Sequence, residues 1–249
     1  MEAFMLRSIL GAVLTLGFAA TATAAVNCNS FANNTVNAFV NDEVVAVGYT
    51  CTIGPMGSVN GGVSQTGEGS LVIRGRVNGA VSEDGPGDVV LGRGAIVGGD
   101  VSEADVGNVS VRGGASTDGV IEESGDGSVN VTVDVPGLVK GDVYENGNGG
   151  VTINAQLGNF EGSVNEAGPG NVNVVVSPGM SFKGDVNEQD GGSVTADVQG
   201  FFEGNIVEQL GGNVSTTGAG VFKGNSEHQA PGTCTNTIVN FQGSACTPI

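Results

Sequence analysis

Aliphatic and polar residues alternate along most of this chain in short segments that recur about every 20 residues. The recurrence becomes visible when the chain is aligned on the glycines Gly61, Gly79, Gly99, Gly119, Gly141, Gly162, Gly184 and Gly204. An aliphatic residue follows each of them after two positions: Val63, Val81, Val101, Ile121, Val143, Val164, Val186 and Ile206. Alternation with a period of two is typical of β-strands that bury one face. The pattern therefore predicts one strand at the start of every repeat.

A second strand is predicted in the later part of each repeat. Ten residues after the aligned glycines lie Leu71, Val89, Val109, Val129, Val151, Val172, Val194 and Val214. A corner glycine separates the two strands at a constant offset of eight residues, from Gly69 to Gly212. The position two residues before this corner glycine is glycine or aspartate in every repeat except the last, which has Leu210. Because these residue types accept a left-handed backbone, a left-handed corner is expected there. Together these features predict the all-β class, as a parallel β-helix or β-solenoid of about eight coils of roughly 20 residues.

The residue before each repeat predicts how the coils stack. From the fourth boundary onward it alternates in charge, as Lys140, Glu161, Lys183, Glu203 and Lys223. Equivalent positions in successive coils lie about 4.8 Å apart, so these charges are expected to form a ladder along one face. The neighbouring inward position changes from valine to phenylalanine, at Phe160, Phe182, Phe202 and Phe222. We therefore expect a wider core in the C-terminal half.

The chain divides into four segments. Residues 1–25 are expected to be a signal peptide, because Arg7 precedes an apolar run at 9–20 and small residues at 22–24 form a cleavage site. Residues 61–224 are the β-solenoid repeats. Residues 26–60 and 225–249 are predicted to be N-terminal and C-terminal caps, which cover the open strand edges at the ends of a solenoid.

The four cysteines lie in the two predicted caps. Four cysteines allow three pairings. A rod of eight coils would hold its ends about 40 Å apart, which favours pairing within each cap, Cys28 with Cys51 and Cys234 with Cys246. Export makes oxidised cysteines the expected state, whereas the single histidine and the absence of a Cys-x-x-Cys pair speak against a metal site.

A glutamate recurs four residues after the aligned glycines, and it is the candidate binding feature of the chain. The predicted ladder comprises Glu83, Glu103, Glu123, Glu145, Glu166, Glu188 and Glu208, with Gln65 in the first repeat. Stacked carboxylates repel one another unless they are screened, and hard cations such as Ca²⁺ prefer several oxygen ligands. One interpretation is thus a row of cation sites. The other is a solvated ladder at a corner, with hydrogen bonds to turn amides.

The remaining charges limit the partners. The chain has 26 Asp and Glu against 8 Lys and Arg, a net charge of −18, which speaks against nucleic acid. Arg74, Arg93 and Arg112 recur near one face of the first three coils, where they either bind an anionic partner or pair with neighbouring acids. No catalytic residues and no cofactor other than Ca²⁺ are indicated, and an enzyme is not expected. A polysaccharide lyase or hydrolase is the enzymatic alternative, but no carboxylate differs from those in the other coils.

Two families of β-solenoid share features with these repeats. The run Lys140-Gly141-Asp142-Val143, repeated from Lys183 to Val186 and echoed from Glu203 to Ile206, resembles the rungs of bactofilins, which are cytoskeletal polymers. Bactofilins are cytoplasmic and lack this signal and these cysteines. The coil length is similar to that of filamentous-haemagglutinin-type surface proteins, and this resemblance implies adhesion. Neither resemblance assigns a role to an individual residue.

Three hypotheses about function follow from the sequence. The first is an exported structural or adhesive protein of the cell surface or extracellular matrix, and the expected locations are secreted, periplasmic or cell surface. Its expected partner is a cell-surface or matrix component, polysaccharides included, and self-association stays open. The second is a cation- or ligand-binding rod that uses the glutamate ladder. The third is a polysaccharide-active β-helix enzyme.

Overall fold

The computed structural model describes residues 25–229 and 231–248, and it is an all-β, three-sided parallel solenoid. The predicted signal peptide lies almost wholly outside the described residues. The first two sides are single sheets that run the length of the rod. Sheet A contains the strands Val26–Asn27, Val44–Val47, Val63–Thr66, Val81–Asp84, Val101–Glu103, Ile121–Glu123, Val143–Glu145, Val164–Glu166, Val186–Glu188, Ile206–Glu208, Ser226–His228 and Thr247–Pro248. Sheet B contains Thr35–Val36, Cys51–Ile53, Leu71–Ile73, Val89–Leu91, Val109–Arg112, Val129–Val133, Val151–Ala155, Val172–Val176, Val194–Val198, Val214–Thr217 and Cys234–Asn236.

The third side is divided into two shorter sheets. Sheet C covers the N-terminal half with Phe39–Val40, Ser58–Val59, Arg76–Val77, Ile96–Val97 and Ser116–Thr117. Sheet D covers the C-terminal half with Leu138–Lys140, Asn159–Glu161, Ser181–Lys183, Phe201–Glu203, Val221–Lys223 and Asn240–Gln242. Short 3₁₀ turns at Cys28–Ser30 and Ala32–Asn34 precede the first strand of sheet B. Among the residues described, no helix has the length and apolar character needed to span a bilayer.

The number of coils is larger than the sequence predicts, at about eleven rather than eight. The additional coils come from the segments without the aligned glycines, where Val44 pairs with Val63 and Phe222 pairs with Phe241. Parallel pairing requires backbone hydrogen bonds and inward apolar side chains, but not a glycine at the coil boundary. Alignment on the glycines therefore counted too few coils.

The core confirms the predicted change between the two halves. From Val129 onward, four consecutive strands of sheet B lengthen to five residues, and from Phe160 onward the inward residue of the third side is phenylalanine. The rings of Phe160, Phe182, Phe202, Phe222 and Phe241 stack with centroid separations of 5.1, 4.7, 4.5 and 4.6 Å. The column thus continues into Phe241, which the sequence analysis placed in the C-terminal cap.

The corner glycines are explained by close approach between coils more than by a left-handed backbone. The predicted left-handed conformation occurs at Gly67 (φ 79°) and Gly85 (φ 153°), but not at Gly125, Gly147 or Gly168. A Cβ atom added at a corner glycine such as Gly107 would overlap the carbonyl oxygen of the glycine one coil earlier. The stacking distance of the coils therefore excludes a side chain at these positions.

The disulfides are those predicted from the positions of the cysteines. Cys28 is bonded to Cys51 and Cys234 to Cys246, so one covalent link lies near each end of the rod. Cys28 and Cys51 are fully buried, whereas Cys234 and Cys246 are half-buried. These links indicate an oxidising, extracellular-type environment.

Candidate functional site

The seven predicted ladder glutamates lie inside the solenoid, not on its surface. Each has 0% exposure, and six of them pair with the ladder glutamate of the next coil, as Glu83 does with Glu103, whereas Glu208 pairs with His228. Each glutamate is the third residue of its strand in sheet A, two positions after a buried aliphatic residue. Alternation with a period of two places both residues on the inward side. The alternation in the sequence indicated this inward orientation, but the charge of the glutamates argued for exposure to solvent.

Hydrogen bonds from the following turn fix one carboxylate oxygen of most ladder glutamates. Glu145 Oε1 accepts from the amides of Gly147 at 2.9 Å and Gly149 at 3.1 Å. Glu208 Oε1 accepts from Leu210 at 2.9 Å and Gly212 at 2.7 Å. Equivalent bonds are made by Glu103, Glu123, Glu166 and Glu188. The predicted contact with turn amides is therefore present, although the predicted solvation is not.

The other carboxylate oxygen of most ladder glutamates is buried and has no hydrogen-bond partner. This holds for Oε2 of Glu103, Glu123, Glu145, Glu166 and Glu188, and for both oxygens of Glu83. Burial, and after it the adjacent ladder glutamate, raises the pKa of Glu83, Glu123 and Glu166 from 4.5 to about 8. The raised pKa favours the neutral form of these three carboxyl groups, which lowers the repulsion along the ladder.

Cation binding by the ladder stays a prediction. Within residues 25–229 and 231–248, no group of three or more His, Cys, Asp or Glu side chains has an arrangement that could hold a metal ion. An ion at the ladder would have to sit inside the rod, where one oxygen of most carboxyls is already bound to turn amides. It would also have to displace the protons that a raised pKa favours on Glu83, Glu123 and Glu166.

The arginines form a row along one edge of sheet B. Arg74, Arg93 and Arg112 follow or end successive strands of this sheet, and all three are exposed. Arg74 extends over Gly92 and Arg93 over Gly113, so a side chain at either glycine would press against an arginine stem. We call these three residues the arginine edge. Among the described residues no acid lies within ion-pair distance of them, so the predicted pairing with neighbouring acids is absent.

The opposite edge of sheet B is acidic in the same coils. Glu68, Asp84, Asp105 and Asp126 precede successive strands of sheet B at its corner with sheet A, and all four are exposed. We call these residues the acidic edge. Between the two edges, the outward side chains are Val72, Val90 and Ser110, which the strand register places in one row. The acidic edge therefore lies before the strands of sheet B and the arginine edge lies after them, with the length of one strand between the two edges.

The predicted ladder of alternating charge is present on the outer face of sheet D. The strand register pairs Lys140 with Glu161, Glu161 with Lys183, and Glu203 with Lys183 and Lys223. Lys183 is 3.7 Å from Glu161, and Lys223 forms an ion pair with Glu203. These pairs are about half exposed, so their contribution to the stability of the fold is small. Their main effect is to favour the observed pairing of the coils, in which opposite charges face each other.

Two further rows of polar side chains were not predicted from the sequence. Along the corner between sheets A and B, Asp88 accepts from the amide of Asn108, and Asn108 accepts from that of Ser128. Along the corner before sheet A, Asp185 accepts from Asn205, and Asn205 from Asn225. The signal was available, because the residue after most corner and aligned glycines is Ser, Asn or Asp. These rows satisfy backbone amides that the turns leave free.

One shallow groove of about 350 Å³ lies on the outer side of sheet B. It opens where Gly149 and Gly150 leave a gap in the corner row between Ser128 and Asn171. Its lining is Ser128, Asn130, Asn148, Gly149, Gly150, Thr152, Gly170, Asn171 and Asn173. The groove offers hydrogen-bonding groups but no side chain that would act as an acid, a base or an activated nucleophile.

No protein-family model, no curated protein and no solved structure matches this chain. The parallel β-solenoid architecture is confirmed, whereas the resemblance to bactofilins and to haemagglutinin-type proteins stays a prediction. Function has to be inferred from the faces, edges and charges of this rod.

Proposed function

We propose that the protein is an exported structural or adhesive rod of the cell surface or extracellular matrix. The observation that carries this proposal is a continuous stack of about eleven coils with a disulfide near each end. Such a rod presents long, repetitive outer faces, and repeat proteins of this kind bind extended partners along those faces. Disulfides support action in an oxidising compartment.

The distribution of chemical groups supports a binding role more than a catalytic one. The carboxyls with raised pKa, which would be the natural candidates for acid catalysis, lie inside the rod. The outward positions carry Ser, Thr, Asn and Asp in rows, and the groove on sheet B is lined by similar neutral residues. Hydroxyl and amide rows are suited to hydrogen bonding with polysaccharides, which are the partner class we propose.

Binding of the intact protein to surfaces tests this proposal. The secreted protein, with both disulfides formed, would be labelled and incubated with cells of the producing organism and with polysaccharides extracted from their surface and matrix. We expect saturable binding that is lost when the same protein is reduced and heat-unfolded before incubation. Failure of the folded protein to bind cells and every extracted polymer would overturn the proposal.

A further inference from the structure

We propose that the outer face of sheet B is the interface of a homodimer in which two rods lie side by side and parallel. The occupant of this face is thus a second copy of the chain. This inference concerns self-association, and it holds whether or not the rod is adhesive.

The first argument is the unbalanced charge of the N-terminal half of the face. The arginine edge carries three exposed cations without an ion-pair partner among the described residues. The acidic edge carries exposed carboxylates in the same coils, on the other side of the strands. Each edge contributes one charged residue to each of three successive coils, at register positions that differ by one or two residues, and the coils are stacked about 4.8 Å apart. One copy therefore has cations that match the acids of another in sign and in number per coil.

The second argument is the symmetry that these edges select. A two-fold axis parallel to the rod exchanges left and right, so the arginine edge of each copy faces the acidic edge of the other. A two-fold axis across the rod would instead place arginine against arginine. Closed dimers use the same patch on both subunits. Charge complementarity consequently selects the parallel arrangement, in which both edges are paired at once.

The third argument is that no other charge on the face opposes this contact over most of its length. Between the edges lie Val72, Val90 and Ser110 in the N-terminal half. The same row continues through the uncharged residues Asn130, Thr152, Asn173, Thr195 and Ser215. Asp197, in the adjacent outward row, is the acidic side chain of this half of the face. A chain of net charge −18 has few surfaces on which a second copy could approach without strong repulsion.

The size of the face is sufficient for a stable contact. About eleven coils at ~4.8 Å give a length of roughly 50 Å, and strands of two to five residues at ~3.3 Å give a mean width of roughly 13 Å. The face therefore covers about 650 Å² on each partner, which is at the lower end of the range for specific protein interfaces. The groove at Gly149 and Gly150 leaves space there for bridging water, which is common at polar interfaces.

A charge-swap experiment with the full secreted chain tests the dimer. One variant carries R74E, R93E and R112E, and the other carries E68K, D84K and D105K. Sedimentation velocity should show the wild type as a dimer at about 10–50 μM, and each variant alone should dissociate at least tenfold more readily, because its two edges carry like charges. An equimolar mixture of the two variants should form a heterodimer, since both pairs of edges are again opposite in sign.

Two controls distinguish an effect at the outer face of sheet B from an effect of net charge and from misfolding. The variant K140E, K183E and K223E changes the net charge by the same amount as the arginine variant, but on sheet D, and it should stay dimeric. Circular dichroism must show β-structure and cooperative melting for every variant. A monomeric wild type, charge-swap variants that dimerise as the wild type does, or a mixture that stays monomeric would each overturn the proposal. Capture of a probe polyanion, such as heparin, by a monomeric wild type would assign the arginine edge to an anionic polymer instead.

Discussion

At the scale of single residues, six of the seven buried glutamates close the turn that follows their own strand. Each folds its side chain inward, and one carboxylate oxygen accepts from turn amides, as Glu145 does from Gly147 and Gly149. A buried polar group without a partner costs stability, so this contact satisfies both the turn amides and one oxygen of the side chain. Gln65 meets part of the same need with its amide, which donates to the carbonyls of Thr66 and Gly67. The ladder position therefore accepts a neutral side chain.

The raised pKa values predict a protein that is more stable in mild acid than in mild base. The folded-state pKa of Glu83, Glu123 and Glu166 is about 8, above the unfolded value of 4.5. Between these two values the folded protein binds more protons than the unfolded chain, so the free energy of unfolding falls as the pH rises. We expect the midpoint of thermal unfolding to be highest near pH 4.5 and to fall progressively up to pH 8.

The variant Glu123→Gln tests the origin of this pH dependence. Glutamine keeps the acceptor for Gly125 and donates to Glu145 without a titrating proton. Its melting temperature should exceed that of the wild type at pH 8 and match it within a few degrees at pH 5. The matched control is Glu122→Gln, which removes a charge from the outer side of the same strand and should follow the wild-type profile. Identical profiles for Glu123→Gln and the wild type would contradict a role for the ladder.

At the scale of secondary-structure elements, the inward column of the third side sets the width of the rod. Short strands of sheet C enclose Val77 and Val97, whereas the longer strands around sheet D enclose stacked phenylalanines. Phe182 and Phe202 stack with planes 8° apart and centroids 4.7 Å apart, which is the spacing of paired strands. Identical side chains in successive coils therefore stack without adjustment of the backbone.

Removal of one ring should weaken the C-terminal half. Phe202 is fully buried between two other rings, so Phe202→Ala is expected to lower the free energy of unfolding by about 3–5 kcal/mol. The neighbouring Phe201 points outward and is half-buried, so Phe201→Ala should cost less than about 1.5 kcal/mol. Urea denaturation followed by circular dichroism measures both. Equal losses for the two variants would contradict the assignment of Phe202 to a packed column.

At the scale of the whole molecule, stability depends on how the two ends are held. Each coil contacts its neighbours in the stack, so the terminal coils have a partner on one side and are the natural places for unfolding to begin. The Cys28–Cys51 bond joins the first coils, and the Cys234–Cys246 bond ties the last. Both links act against fraying at the positions where it would start.

The two bonds should differ in their resistance to reduction. Cys28 and Cys51 are fully buried, whereas Cys234 and Cys246 are partly accessible. Graded treatment of the folded protein with a phosphine reductant, followed by alkylation and mass mapping, should therefore label Cys234 and Cys246 first. Labelling of Cys28 and Cys51 at the same or lower reductant concentration would show that the N-terminal end opens more readily than its burial implies.

Much of this architecture was readable from local pattern. The alternation around Val81 and Val101 predicted strands in register, and the alternating charges from Lys140 to Lys223 predicted the order of stacking. The cysteine positions predicted both disulfides. These features depend on the period of a β-strand and on the constant distance between coils, which are properties of the backbone.

Other features were decided by the packing of distant residues. Whether Glu123 points to water or into the core depends on turn amides and on neighbouring carboxyls that compensate for burial, and only the folded coils bring these groups together. The coils without glycine landmarks were recognised by their pairing partners, as Phe241 was by Phe222. The sequence by itself thus determined the repeat, the register and the covalent links. The tertiary structure decided which side chains became internal and placed the arginine and acidic edges on opposite sides of one sheet, because both depend on where each corner turns the chain.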